Sequence, residues 1–363
     1  MSVLPATMKA VVIRGKYHIE VEDRPLPFIK EDTDVILRTR VAGLCGSDLH
    51  NWRFTDPTSG YILGHEIVGE IIEIGKGVKN FKVGDIVAAP FHCCCGICWY
   101  CSRGYFSRCT KAQCYGGPDL DGCQAEYFRQ PLADSTLFPV PPDVKEEHML
   151  LLSDVLSTGY ACAYYGKRLL DEDREGESME VKDGVAVVIG CGPVGLCAIS
   201  SALTLFSTVY ACDLNLDRLL LAEKHGAKAF SLDQIKQALL EGTDGRGADA
   251  ALEVVGNENA LNLALDLIRP FGSVSVIGQH IKPVTLSGEV LYGKNARLQF
   301  GRCPVRRFYP AALQILKQNP DLFDQFITHR ARLDQAAKYY DLFNQGKIGK
   351  TVFVADHLPL EPR

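Results

Sequence analysis

The chain has 363 residues, a formal net charge of −5, 47% hydrophobic residues and 23% charged residues. This length predicts about two domains, and the composition is that of a globular protein with a sizeable core. The slightly acidic balance argues against a nucleic-acid partner, and no apolar run reaches the roughly 18 residues of a membrane span. No signal-peptide pattern stands at the N-terminus, so we expect a cytoplasmic protein.

The first 150 or so residues are rich in short β-like runs. Examples are MKAVVI, DVILRTRVAG, EIVGEIIEIG and GDIVAAP, which are separated by Gly, Pro and Asp. They predict strands joined by turns with little helix.

After about residue 180, short apolar runs such as GVAVVIG alternate with helical segments such as NLDRLLLAEKHGA. This alternation predicts βαβ units and a parallel sheet. The acidic stretch at 169–184 reads as a solvated linker or surface loop. We predict a first domain at 1–160, an inserted nucleotide-binding domain at 161–300, and a C-terminal segment at 301–363 that returns to the first domain.

The chain contains 14 cysteines, which is unusual for a protein expected in a reducing compartment. Thiols stay free there, so a dense cysteine cluster favours metal binding or catalysis over disulfides. The spacing C-x2-C-x2-C-x7-C predicts a closed tetrahedral structural zinc site at Cys95, Cys98, Cys101 and Cys109. Gly96 and Gly104 supply the turns. Cys93 and Cys94 have no place in this spacing, and we interpret them as spare thiols.

A second set of candidate ligands is dispersed. It comprises Cys45, Ser47, Asp48 and His50 in AGLCGSDLHNW, and His65 and Glu66 in LGHEIVGE. Each residue alone is unremarkable, since a single histidine beside glycine is usually structural. Together they predict an open catalytic zinc site with N, S and O ligands and one position for substrate.

A G-x-G-x-x-G motif follows one apolar strand and opens a helix. Its residues are Gly190, Cys191, Gly192, Pro193, Val194 and Gly195. Such a loop binds a pyrophosphate at the helix N-terminus. Asp213 ends the next strand, where a carboxylate accepts hydrogen bonds from ribose hydroxyls and repels a 2′-phosphate, so NAD is favoured over NADP. Arg218 either assists the ribose or is a surface charge.

In these motifs the chain resembles the zinc-dependent medium-chain alcohol dehydrogenases. The matching segments are GLCGSDLH, GHEIVGEI, VGDIVAAP, CGICWYCSRGYFSRC, LSDVLSTGY, VVIGCGPVGL and CDLNLDRLLLAEKHGA, in the family's order and over nearly the whole length. The resemblance implies an α/β fold, in which a Rossmann domain is inserted in a chaperonin-10-like β-barrel catalytic domain. It also implies a homodimer or homotetramer.

The resemblance assigns roles around the catalytic zinc. Cys45 and His65 would be direct ligands, and Asp154 would be the third ligand at a position where many members carry Cys or Glu. Glu66 would be a transient or indirect ligand, and Asp48 would orient His65 by accepting its free N–H.

Four further residues receive roles from the resemblance. Ser47 and His50 look like a proton relay that works with the cofactor ribose. Thr158 matches a residue near the nicotinamide ring, and Phe91 matches one lining the substrate pocket. Other pocket residues are expected in the loops NWRFTDPTSG and GRCPVRRF.

Gly46 departs from the family, because some members carry at this position an arginine for the pyrophosphate. Lys350 or Arg302 would then serve the phosphates.

The expected reaction is hydride transfer between an alcohol, or its aldehyde or ketone, and NAD(H). One alternative within the fold is a biosynthetic reductase of an activated C=C or iminium group. Two alternatives of other classes are a non-catalytic zinc-binding interaction module and a zinc finger, the latter lacking the basic surface that nucleic acid requires.

Overall fold

The structure is a computed structural model that describes residues 4–55, 60–171 and 182–360. Most of the predicted acidic linker, and part of the predicted substrate loop NWRFTDPTSG, therefore lie outside the described residues. The chain divides into two compact units. The first runs to Asp154 and also contains Pro304–Pro310 and the segment from Leu316 onward, and the second contains Val155–Cys303 and Ala311–Ile315. The sequence-based boundaries are at residues 160 and 300.

The helices and strands of the described residues follow in chain order. The strands are β1 (Thr7–Gly15), β2 (His18–Pro25), β3 (Val35–Leu44), β4 (Ile67–Ile74), β5 (Ile86–Ala89), β6 (Tyr127–Gln130), β7 (Phe138–Pro139), β8 (Val185–Ile189), β9 (Thr208–Cys212), β10 (Lys228–Phe230), β11 (Ala248–Glu253), β12 (Ile268–Val276), β13 (Arg297–Phe300), β14 (Ile327–Ala331) and β15 (Lys350–Val354). The helices are α1 (Gly46–Phe54), α2 (Ala133–Thr136), α3 (Glu146–Ser153), α4 (Val155–Asp171), α5 (Pro193–Ala202), α6 (Leu216–Lys224), α7 (Ile235–Glu241), α8 (Glu258–Leu267), α9 (Gly288–Lys294), α10 (Val305–Gln318), α11 (Pro320–Asp324) and α12 (Ala336–Asn344). Short 3-10 helices lie at Cys101–Arg103, Phe106–Arg108 and Leu333–Gln335.

The first unit contains a mixed sheet in the order β14-β15-β3-β4-β5-β7, with β6 also paired to β3 and with β1 and β2 forming a separate antiparallel ribbon. Strand β15 pairs with β3, so the C-terminal segment completes a sheet that is begun by N-terminal strands. The antiparallel register of β3 and β4 places Ala42 opposite Ile67. The end of β3 and the start of β4 therefore meet at one edge of the sheet.

Helix α1 is held by side-chain packing. It has nine residues, and an isolated helix of that length is marginal in water. Trp52 on α1 is buried in a cluster that includes Tyr340 of α12 and Phe353 of β15. This packing anchors α1 directly after the end of β3.

The second unit contains a six-stranded parallel sheet in the order β10-β9-β8-β11-β12-β13. Strands β8, β9 and β11 are buried nearly throughout, because helices cover both faces of such a sheet and apolar residues then follow one another. The strand order reverses between β8 and β11, the point where open α/β sheets bind ligands. Among the described residues, no helix is both long and apolar enough to cross a membrane.

Candidate metal and cofactor sites

Four potential ligands of the dispersed set converge at the edge where β3 ends and β4 begins. The ligand atoms of Cys45, His65, Glu66 and Asp154 all lie within 4.8 Å of one another, and all four side chains are buried. Asp154 Oδ2 is 3.5 Å from Cys45 Sγ and 3.4 Å from His65 Nε2. The structure thus brings together residues that are separated by up to 109 positions in the chain.

Asp48 fixes the orientation of His65. Its Oδ1 lies 3.1 Å from His65 Nδ1, and its Oδ2 accepts the backbone N–H of Cys45 at 2.9 Å. The second contact caps α1, since Asp48 is the third residue of that helix. With Nδ1 held by a carboxylate, His65 turns Nε2 towards Cys45 and Asp154. Nε2 is buried and faces Asp154 Oδ2 at 3.4 Å without a well-formed hydrogen bond, which fits a metal-binding nitrogen.

The charges of this cluster fit a divalent cation. Burial, followed by the carboxylates of Asp154 and Glu66, raises the pKa of Cys45 to about 11. Burial lowers the pKa of His65, but Asp48 and Asp154 outweigh that effect and raise it well above its ordinary value. A metal ion would displace the thiol proton and compensate the carboxylates. The S, N and O donor set matches a Zn²⁺ ion with three protein ligands.

Glu66 is fully buried beside these ligands and forms an ion pair with Lys350. The Lys350 ammonium also donates to the backbone oxygen of Leu44 at 3.3 Å. Gly43 makes room for this pair, because a Cβ atom there would stand 1.8 Å from Glu66 Oε2. That Lys350 binds a cofactor phosphate stays a prediction; in this structure its side chain is 1% exposed and its ammonium is paired with Glu66.

Ser47, His50 and Phe91 lie on segments that adjoin the ligands Cys45 and Asp154. Ser47 is exposed on α1, with Oγ 3.9 Å from Cys45 Sγ. His50 lies one turn further along α1, and its Nδ1 is buried with no hydrogen-bond partner in the described chain. Burial and then Arg53 lower the pKa of His50. Phe91 donates its backbone N–H to the Ser153 oxygen at 3.2 Å, which places it beside Asp154.

The dense cysteine set also converges. The sulfur atoms of Cys95, Cys98, Cys101 and Cys109 lie within 4.8 Å of one another. Backbone N–H groups of Cys95 and Lys111 donate to Cys109 Sγ at 3.2 and 3.3 Å. Hydrogen bonds from the backbone of Cys101 and Thr110 lower the pKa of Cys98 to about 5. Four thiols in a loop stabilised by N–H groups fit a closed zinc site.

Cys93 and Cys94 are not part of the four-sulfur group, although Cys94 packs against Cys101 and Cys109. Cys93 Sγ lies 3.5 Å from the Lys111 oxygen, and Cys94 Sγ lies 3.1 Å from the Ser135 oxygen. Burial raises the pKa of both thiols to about 11. Both side chains are therefore protonated, buried thiols at neutral pH.

The glycine motif of the second unit forms the turn between β8 and α5. Gly192 is the N-cap residue of α5 and Pro193 opens the helix. Gly195 permits the close approach of helix and loop, because a Cβ atom there would stand 1.9 Å from the Gly190 oxygen. A Cβ atom on Gly192 would meet nothing within 4 Å, so the N-terminus of α5 is open to a ligand. These features fit a pyrophosphate.

Asp213 lies beside this turn, since β8 and β9 are adjacent parallel strands. Its Oδ2 accepts the backbone N–H of Cys191 at 2.7 Å, and its Oδ1 accepts that of Asn215 at 2.8 Å. Arg218 Nη1 stands 3.8 Å from Asp213 Oδ2. The glycine turn and the carboxylate therefore form one site that fits NAD.

Two other predicted cofactor residues lie in the second unit. Thr158 is largely buried on α4, next to Gly159, where α4 contacts α5. Arg302 is exposed just past the end of β13. Their contacts with a cofactor stay predictions.

Sequence reasoning misses one residue that supports the metal cluster. Gln124 Nε2 donates to Asp48 Oδ2 at 3.3 Å and to the Gly43 oxygen at 2.9 Å, while its Oε1 accepts the Tyr340 hydroxyl at 2.7 Å. Nothing in the surrounding sequence marks this glutamine. Its role arises from contacts 76, 81 and 216 positions apart.

Comparison with known proteins agrees with this arrangement. Residues 31–142 match the alcohol dehydrogenase GroES-like domain, and residues 193–318 match the zinc-binding dehydrogenase domain. A zinc-type alcohol dehydrogenase B of Aspergillus flavus is 40% identical over 96% of this chain and 81% of its own length. A medium chain reductase/dehydrogenase, ucsI, of an Acremonium species is 45% identical over 76% of this chain and 95% of its own.

Among solved structures, the alcohol dehydrogenase TADH from Thermus sp. ATN1 superposes with a TM-score of 0.87 at 32% identity. The match covers 96% of this chain and all of that one. The chain therefore belongs to the zinc-dependent alcohol dehydrogenase family of medium-chain dehydrogenases. The resemblance and the fold class that the motifs predict, a GroES-like domain with a Rossmann domain, are confirmed. The main reading of the function, a zinc-dependent oxidoreductase, is also supported over its alternatives.

Proposed function

We propose that the chain is an NAD-dependent, zinc-containing alcohol dehydrogenase that interconverts a small alcohol and its aldehyde or ketone. The observation that carries this proposal is the buried convergence of Cys45, His65 and Asp154, with His65 Nε2 presented to the other two ligands. The glycine turn with Asp213 in the second unit supports the choice of NAD. A zinc ion would act as a Lewis acid on the substrate oxygen, and NAD would accept or supply the hydride.

The residues around the ligands prepare this site. Asp48 keeps the proton of neutral His65 on Nδ1, so that the lone pair of Nε2 is available to the metal. Cys45 and Asp154 would bind as anions and balance the charge of a divalent ion. Lys350 neutralises Glu66, which keeps a third negative charge from accumulating beside the ligands.

Ser47 and His50 are proposed to move the proton of the substrate hydroxyl. Ser47 is exposed next to the ligand Cys45, and its hydroxyl both accepts and donates a proton. The lowered pKa of His50 keeps its imidazole neutral near pH 7, and its unpaired Nδ1 is then able to accept a proton. Phe91, next to the ligand Asp154, is proposed to contact the apolar part of the substrate.

The test combines metal content, cofactor binding and turnover. The purified protein should contain two zinc ions per chain, as its two ligand clusters predict. The Cys45→Ser and Asp154→Ala variants should each lose one zinc ion and all alcohol-dependent reduction of NAD⁺, while calorimetry still detects NAD⁺ binding. Full turnover by metal-free protein would reject the proposal.

A reductase of activated C=C or iminium groups is the second candidate. One relative, at 45% identity, bears the name reductase/dehydrogenase, and the ligand set is compatible with either substrate class. A screen of alcohols, aldehydes, enones and iminium compounds with NAD(H) and NADP(H) separates the two. Turnover confined to enones or iminium compounds would favour the reductase.

We also propose a homodimer or homotetramer in the cytoplasm. Strand β13 lies at the edge of the six-stranded sheet, and the side chains of Phe300 and Tyr292 nearby are 42% and 88% exposed. Light scattering on wild-type protein and on a Tyr292→Glu variant tests this association. The many free thiols are compatible with a reducing compartment.

A further inference from the structure

A buried carboxylate of the second unit has no role in the function proposed above. Glu253 ends β11 and is 0% exposed. Its Oε1 accepts the backbone N–H groups of Val255 and Gly256, each at 2.7 Å. Its Oε2 lies 3.1 Å from Nε2 of His280, a side chain that is 11% exposed. One buried carboxylate thus holds the loop after β11 and a residue of the loop after β12.

These two loops also contact each other through their backbones. A Cβ atom on Gly278 would stand 2.3 Å from the Gly256 nitrogen and 2.9 Å from Glu253 Oε2. The Glu253 oxygen accepts the backbone N–H of Ile277 at 3.0 Å. Backbone contacts thus fix residues 277 and 278, and the Glu253–His280 contact adds a side-chain restraint on residues 279 and 280.

The position of these loops in the sheet indicates what they face. The glycine turn after β8 and Asp213 after β9 belong to the half β10-β9-β8, which fits the adenosine and pyrophosphate. A dinucleotide binds across the carboxyl ends of both halves where the strand order reverses. The other half, β11-β12-β13, is left for the nicotinamide mononucleotide, and the loops tied by Glu253 and His280 leave the carboxyl ends of its first two strands.

We propose that His280, held by Glu253, is a positioning residue for the nicotinamide half of the cofactor. This inference rests on the proposed NAD-dependent function. Removing the imidazole would leave Glu253 Oε2 buried without that donor and would release residues 279 and 280, while Ile277 keeps its backbone hydrogen bond to Glu253. A buried charged group that loses its hydrogen bond is costly, and relaxation of the loop is the expected response. The adenosine half would keep its shape.

The experiment measures binding, with no turnover required. Isothermal titration calorimetry compares NAD⁺ with ADP-ribose, which lacks the nicotinamide, on wild-type protein and on His280→Ala and His280→Gln. We expect His280→Ala to bind NAD⁺ about tenfold more weakly and ADP-ribose unchanged, since the lost contact is a hydrogen bond to a charged group. The glutamine amide can donate to Glu253, so His280→Gln should restore most of the NAD⁺ affinity.

A matched control is His225→Ala, which removes another buried histidine of the same unit, one bonded to Ser200 at 2.8 Å. Thermal unfolding verifies that each variant is folded. The His225→Ala control should lower the thermal stability of the protein without changing the ratio of its affinities for NAD⁺ and ADP-ribose.

The inference is overturned if His280→Ala weakens both ligands equally, if it weakens neither, or if folded His280→Gln binds NAD⁺ as poorly as His280→Ala. Wild-type protein that binds neither ligand would instead refute the proposed function. Wild-type protein that binds both, with no selective effect of His280→Ala, would refute only the role of His280.

Discussion

Replacing Asp48 by asparagine should weaken zinc binding at the Cys45–His65–Asp154 site with little change in side-chain volume. Asp48 is 1% exposed and receives three donors: Cys45 N–H at 2.9 Å, His65 Nδ1 at 3.1 Å and Gln124 Nε2 at 3.3 Å. Asparagine has a single acceptor oxygen, so its amide group must face at least one of these donors. Whether the asparagine oxygen or its NH₂ group faces His65 decides how zinc binding changes.

If the asparagine oxygen takes the Cys45 side, its NH₂ group faces His65 Nδ1. The imidazole must then accept at Nδ1 and carry its proton on Nε2, the nitrogen that would bind zinc. If the oxygen faces His65 instead, the N–H groups of Cys45 and Gln124 lose their acceptor and the start of α1 is disturbed. Loss of a partner of this kind weakens metal binding by about 10- to 100-fold, or about 1.4 to 2.7 kcal/mol.

The assay is competition for zinc between the protein and a chromophoric chelator, together with metal analysis at limiting zinc. Asp48→Asn should lose zinc from the Cys45–His65–Asp154 site and lose turnover with it, while the four-cysteine site stays filled. Asp34→Asn is the matched control, because Asp34 is also fully buried in the first unit and pairs with Arg129 instead. Wild-type zinc affinity and turnover in Asp48→Asn would refute the tautomer argument.

Three further predictions concern other sites. Cys98→Ser should lose the structural zinc and lower the Tm by several degrees while alcohol turnover at 25 °C persists; an unchanged Tm would contradict the structural role. Asp213→Ala should remove the carboxylate that repels a 2′-phosphate. Arg218, whose Nη1 lies 3.8 Å from that carboxylate, would then be free to bind the phosphate, so kcat/KM for NADP⁺ should rise about tenfold relative to NAD⁺. An unaltered cofactor preference would show that Asp213 does not select between the two cofactors. Burial lowers the pKa of His225 from 6.5 to about 4. As pH falls through that window the unfolded chain binds a proton that the folded chain does not, so stability should drop by about 2 kcal/mol between pH 7 and pH 5. His225→Gln should flatten this slope in urea unfolding of the second unit, and a slope equal to that of the wild type would exclude His225 as its source.

Local spacing is sufficient to predict the four-cysteine cluster and the glycine turn. In each case the ligands lie within one short segment, so that the turn geometry of that segment decides the site. The dispersed set is different. The sequence suggests Cys45 and His65 as part of an open zinc site, but Asp154 enters only through the family resemblance. The approach of these residues depends on the register of β3 with β4 and on the bend between α3 and α4.

Lys350 has a buried partner that sequence reasoning does not find. The sequence suggests Lys350 for the phosphates only because Gly46 stands where some family members carry an arginine. The pairing of β15 with β3 carries Lys350 into the interior, and Gly43 leaves the space in which its ammonium reaches Glu66. No local pattern contains this information, since the partners are 284 positions apart.

The sequence by itself determined the family, the parallel sheet with its pyrophosphate turn, and the division of cysteines between a closed and an open metal cluster. The sheet, the turn and the closed cluster depend on short-range periodicity and spacing, whereas the open cluster also depends on the family resemblance. Only the tertiary structure decided which further polar groups share a buried environment: Gln124 with Asp48, Lys350 with Glu66, and Glu253 with His280. Burial makes such pairs obligatory, because a charged group removed from water needs a partner, and the fold alone brings that partner within reach.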